Sequence, residues 1–150
     1  MVAELAVAYL HFAGIVTFGA LLFAEWLLLA RVDARELARI ALLDLGYLGA
    51  AIVVLASGLA RVIWFGKPLA FYLHNPVFWI KLALFVAVGL ISIPPTRCFL
   101  RWRRGAGRGS FVAPAHEAAY ARRYVAIELV LLALIALAAV LMARGVGLQN

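Results

Sequence analysis

Four runs of about 20 or more mostly apolar residues constrain this chain more than any other feature. They lie near 5–30, 40–60, 77–95 and 125–143. A hydrocarbon layer roughly 30 Å thick needs about that length of helix to cross it. Buried backbone groups must be satisfied inside each segment, so the runs predict helices rather than open strands. Of the 150 residues 67% are hydrophobic and only 14% charged, with a mean hydropathy of +1.04. A water-soluble domain of this length needs a charged shell that these residues cannot build. The expectation is one integral membrane domain over 1–150, an all-α four-helix transmembrane bundle running up-down-up-down.

The first run has no basic residue before Arg31 and no small-residue cleavage pattern, so it reads as a membrane helix rather than a leader peptide. One cysteine, Cys98, excludes an internal disulfide and a paired-thiolate metal site. It reads as an inert interfacial thiol.

The net charge of +7 is unevenly placed. Arg31, Arg35 and Arg39 lie between the first two runs. Arg97, Arg101, Arg103, Arg104, Arg108, Arg122 and Arg123 lie between the last two. The other side has only Arg61, Lys67, Lys81 and Arg144. The positive-inside rule therefore predicts both termini on the outer side and a basic cytoplasmic loop over 97–123. That loop should attract anionic headgroups. No groove-reading motif accompanies the charge, so no nucleic-acid partner is expected.

Local signals refine the outline. Asp33 with Glu36 three residues on predicts a capped start to the second helix, ahead of the lipid. Pro94 and Pro95 should kink or stop the third. RCFLRWRR then reads as a short interfacial helix, with Phe99 and Trp102 toward lipid. GAGRGS reads as a flexible link, and Pro114 suits the first turn of a last helix reaching about Arg144. The outer stretch 62–76, rich in Trp64, Phe65, Phe71 and Tyr72, reads as an aromatic cap at headgroup level.

Ionisable residues inside the apolar runs each need a partner, an escape or a use, at roughly 2.5–3.5 kcal/mol on insertion scales. Alternating helix direction sorts them into an outer layer, His11, Arg61, His74 and Lys81, and an inner layer, Glu25, Asp44 and Glu128. Helical spacing puts His11, Gly14, Phe18 and Glu25 on one face of the first helix. It aligns Asp44, Tyr47, Ala51, Leu55 and Gly58 on the second, Lys81, Val88 and Ser92 on the third, and Tyr124, Glu128 and Ile135 on the fourth. Structural readings stand beside functional ones. Lys81 can snorkel to outer headgroups or line a site. Glu25 and Asp44 can pair with Arg31, Arg35 and Arg39, and Glu128 with Arg122 and Arg123. His11 is either a buried imidazole with one hydrogen bond or a ligand. His74 reads as a loop histidine, and His116 as part of a solvated face.

AYLHFAGIVTFGALLFAEWLLL, with Leu10-His11, Val16-Thr17-Phe18 and Leu21-Leu22-Phe23, resembles the first helix of the haem-associated membrane family of HemJ-type protoporphyrinogen oxidases and CopD-like domains. Phe78-Trp79-Ile80-Lys81 and Glu128 resemble its third-helix start and last-helix glutamate. Ile91 and Ser92 stand where that family has Tyr-His. Ile127-Glu128 is what remains of its Asn-Glu-x-Pro. Over nearly the whole chain, and most of all in RVIWFGKPLAFYLHNPVFWIKLALF, the sequence is similar to an uncharacterised bacterial family of four-helix membrane proteins. The resemblances imply a multi-pass protein of the bacterial inner membrane. The first also implies a b-type haem with His11 as iron ligand and Lys81 toward the macrocycle or a propionate. Arg61, Lys67 and Lys81 lie on the matching side for two propionates, and His74 can reach down as a second ligand. The haem would need a slot beside Gly14, Ala51 and Gly58. Three functions stay open: membrane redox or porphyrin chemistry, a non-catalytic accessory or assembly subunit of a membrane complex, and a small transporter or proton relay. The relay would use Glu25, Asp44 and Glu128, with Thr17, Ser57 and Ser92 as the only polar bridges, and would need a homo-oligomer.

Overall fold

The computed structural model describes residues 1–106 and 112–147. Of the GAGRGS link, positions 107–110 lie outside the described residues, as does Arg108. Helix α1 spans Val2–Leu28, α2 Ala34–Ala60, α3 Leu69–Leu73, α4 Pro76–Ile91, α5 Ile93–Ala106 and α6 Ala115–Ala143. A π-helical turn, Arg61–Phe65, extends α2. Among the described residues four apolar helical stretches are long enough to cross a membrane: α1, α2 with its π turn, α4 with α5, and α6. The chain is an all-α four-helix transmembrane bundle, with many large apolar side chains turned outward, Val16, Leu42, Val86 and Val130 among them.

The helices alternate in direction. The head of α1 meets the tail of α2, where His11 bonds to Ser57. The head of α4 meets the tail of α6, where the Asn75 amide donates to the Val146 carbonyl at 3.2 Å. Trp26 near the end of α1 meets Arg122 near the start of α6. The head of α1 and the tail of α6 thus lie at one end of the bundle, and the α1–α2 turn and the head of α6 at the other. The extensive pairings are α1 with α2 and α4 with α6, joined through α1 and α6. No Cα of α2 comes within 8 Å of one in α4.

Local chemistry sets the helix boundaries. The Asp33 carboxylate accepts the Arg35 and Glu36 backbone N–H groups at 2.8 and 2.9 Å. The reciprocal half of a capping box is not made, because Glu36 turns to Arg39 at 3.1 Å. Asn75 caps α4 through Val77 N–H at 2.9 Å and is itself fully buried. The third span breaks at Ser92, ahead of the prolines. Pro94 and Pro95 then occupy the first turn of α5, where a missing N–H costs nothing.

Helix α5 corrects one expectation. Phe99 and Trp102 are 1% and 2% exposed, packed inward rather than toward lipid. Pro95, Cys98, Phe99 and Trp102 form one buried face against α2 and α6, leaving Arg97, Arg101, Arg103 and Arg104 outside. An aromatic pair spaced by three can serve lipid or protein equally. Here the Trp102 indole N–H finds Glu117 Oε2 at 2.7 Å, a partner that lipid would not supply. Arg101 donates to the same oxygen at 2.7 Å. Beside them the Ala113 N–H donates to the Val32 carbonyl at 3.1 Å, closing the two basic connections on each other.

Candidate functional site

On α1 the buried residues are His11, Gly14, Phe18, Leu22 and Glu25, the face that helical spacing marks out. On α2 the inward face is Ile40, Tyr47, Ala50 and Ser57, and Leu55 turns outward, 51% exposed. A straight stripe drawn through Leu55 drifts off the contact because α2 turns 100° per residue. Val88 is buried on α4, and Glu128, Ile135 and Ala138 on α6. Thr17 faces outward and joins no polar path.

The inner layer assembles as a group. Glu25 and Glu128 are 3% and 2% exposed. The Tyr47 hydroxyl crosses from α2 to donate to Glu128 Oε2 at 3.0 Å. Its ring stacks on Phe18 of α1, with centroids 4.6 Å apart and planes inclined by 26°. Ser92 also lies beside the Tyr47 hydroxyl. Asp44, one turn along α2, accepts the Thr96 hydroxyl at 2.9 Å. Glu25 stands within electrostatic reach of both Asp44 and Glu128. The cluster therefore draws on α1, α2, α6 and the α4–α5 break.

The expected ion pairs are not formed. Among the described residues the only salt bridges are Arg39–Glu36 and Arg101–Glu117. Arg122 instead lies over the Trp26 ring, 4.1 Å from its centroid, and donates through Nε to the Trp26 carbonyl at 3.2 Å. Glu128 Oε1 is buried and has no hydrogen-bond partner among the described residues.

The outer layer gathers three of its four members. His11 Nδ1 lies 3.1 Å from both the Val54 carbonyl and Ser57 Oγ. The Ser57 hydroxyl proton goes to the Val53 carbonyl. Both neighbours thus offer lone pairs, which assigns the imidazole proton to Nδ1 and leaves Nε2 as an acceptor. Lys81 and Arg61 sit close enough to His11 to act on it electrostatically, and Arg61 also covers the Phe12 ring at 5.4 Å. Lys81 is half-buried and has no carboxylate within 4 Å among the described residues. His74 is exposed, its Nδ1 held by the Ala70 carbonyl at 2.8 Å, and does not join the others.

The slot expected beside His11 is closed in this packing. An acceptor Nε2 backed by an Nδ1–H to a carbonyl is the arrangement a metal-binding histidine adopts. The small residues expected to open a slot are instead filled. A Cβ on Gly58 would stand 3.0 Å from His11 Cε1, and one on Gly14 would stand 3.0 Å from Val54 Cγ2. Gly14 and Gly58 let α1 and α2 approach closely, as small residues do between membrane helices. Among the described residues no three His, Cys, Asp or Glu are placed to hold a metal ion.

Tyr47 and Thr96 are the site residues that sequence reasoning left without a role. A lone tyrosine one turn from an aspartate was the available signal, but its partner lies 81 positions away.

No curated protein and no solved structure matches this chain. One family model does, over residues 3–147, nearly the full length. The chain belongs to the membrane-protein family described as "Predicted membrane protein (DUF2214)".

Proposed function

We propose that this chain is a proton-handling protein of the bacterial inner membrane, and that Glu25, Asp44, Glu128 and Tyr47 form its working centre. The observation that carries this reading is Glu128 Oε1, which among the described residues is buried without a partner, on a carboxyl that no described base neutralises. A buried charge is retained only with a compensating partner, and removing such a partner costs several kcal/mol. Ionisable groups inside a membrane bundle are functional by default. A proton is the smallest cation that neutralises such a group, and the hydroxyl of Tyr47 is in place to pass or receive it.

The path is one-sided. Phe18, Val88 and Ile135, all buried, lie between the carboxyls and the His11 layer. Half-buried Asp44, bonded to Thr96, is the outlet toward the basic end. With the arginine-rich connections on the cytoplasmic side, the centre exchanges protons with the cytoplasm. Passage outward requires the apolar layer around Phe18 to rearrange.

Purified protein in vesicles, with a pH-sensitive dye inside and an imposed pH gradient, tests this. Faster proton equilibration than in protein-free vesicles, returned to the protein-free rate by Glu128→Gln, is the expected result. Rates equal to protein-free vesicles for the natural protein would overturn proton movement and favour an accessory subunit.

A further inference from the structure

We propose that the groove between the α1–α2 turn and the head of α6 binds one anionic phospholipid. The groove has a volume of about 730 Å³ and is lined by Trp26, Leu29, Arg31, Asp33, Arg122 and Arg123 among others. It lies at the end of the bundle that carries the basic connections, apart from the carboxyl cluster. Its charges favour a phosphate. Arg31, Arg122 and Arg123 contribute three positive groups, and none is in a salt bridge among the described residues. The single acid there, Asp33, is committed through Oδ1 to two backbone N–H groups at the start of α2.

Arg122 is already fixed. Its guanidinium is stacked on the Trp26 ring at 4.1 Å and tied through Nε to the Trp26 carbonyl. Holding the planar group in place lowers the ordering cost of gripping a phosphate, and its remaining N–H donors match two phosphate oxygens. The walls beside it are apolar, supplied by Trp26, Leu29 and the alanines of α6. A soluble phosphate has no use for such a wall, whereas an acyl chain does. Basic pockets between membrane helices on the cytoplasmic side suit anionic headgroups for this reason, and a tryptophan at that depth suits the interface.

Native mass spectrometry of the full chain released from detergent, with phosphatidylglycerol or phosphatidylcholine added, reads the binding. One retained phosphatidylglycerol per chain is expected, with phosphatidylcholine lost. The Arg31→Gln/Arg123→Gln pair should weaken retention by about fivefold per arginine. Arg103→Gln/Arg104→Gln removes equal charge elsewhere and should leave retention unchanged. Arg122→Gln should weaken it too, with circular dichroism confirming that helix content is kept. Equal loss in both double variants would overturn the site in favour of diffuse attraction. Equal retention of phosphatidylcholine, or displacement of the lipid by inorganic phosphate, would also overturn it.

Discussion

Tyr47 and Glu128 are joined across the bundle by one hydrogen bond of 3.0 Å, which satisfies one carboxylate oxygen and leaves the other buried and bare. The bond ties α2 to α6, which otherwise meet mainly through α1 and α5. It is both a structural tie and the most exposed point of the proposed function.

Removing the donor should show the tie. Tyr47→Phe keeps the ring that stacks on Phe18 but strips Glu128 of the only hydrogen-bond partner it has among the described residues. An unmade bond to a buried group costs about 1–3 kcal/mol, and measured bonds between membrane helices reach about 1.7 kcal/mol. We expect Tyr47→Phe to lower stability in detergent unfolding by about 1–2 kcal/mol. The same change in a Glu128→Leu background should cost clearly less, since the two residues act as one unit. Equal costs in both backgrounds would show that the bond carries no energy.

Two glycines on α2 should respond oppositely to the same change. A methyl at Gly58 meets the His11 ring at 3.0 Å, whereas one at Gly49 meets nothing within 4 Å. Gly58→Ala should destabilise by about 1–3 kcal/mol through overpacking. Gly49→Ala should be neutral or stabilise by up to about 1 kcal/mol through helix propensity. Thermal unfolding followed by circular dichroism separates the two.

The packing around His11 predicts the absorption spectrum. Protein purified from haem-supplied cells should show no Soret band, oxidised or reduced. A Soret band abolished by His11→Ala would mean that α1 and α2 part to admit a macrocycle, against the close approach at Gly14 and Gly58.

Orientation is open to direct labelling. In a chain with Cys98 replaced by serine, a cysteine at Lys67 should react with an impermeant maleimide in intact cells. A cysteine at Arg35 should react only after the membrane is opened. The reverse pattern would put the basic connections outside.

Much of the fold was legible because lipid leaves the chain few options. Four apolar runs fix four spans, and the face carrying His11, Gly14, Phe18 and Glu25 is the buried face of α1. The cap at Asp33 follows from residue type and position. What stayed illegible depends on partners distant in sequence. Phe99 and Trp102 point inward because Glu117 offers the indole a carboxylate. Glu25, Asp44 and Glu128 looked destined for nearby arginines because sequence distance stood in for spatial distance. Arg122 spends its planar group on Trp26, and Glu128 turns to Tyr47. Gly58 reads equally as room for a ligand or as room for a histidine, and only the packing distinguishes them.

The most direct measurement is infrared difference spectroscopy of the membrane-reconstituted protein, titrated between acid and alkaline pH. The account predicts a protonated-carboxyl stretch that appears and disappears across the titration, shifts on exchange into deuterium oxide, and is lost in Glu128→Gln. A natural protein whose difference spectrum superimposes on that of Glu128→Gln at every pH would contradict it, because the buried carboxyl would then exchange no proton.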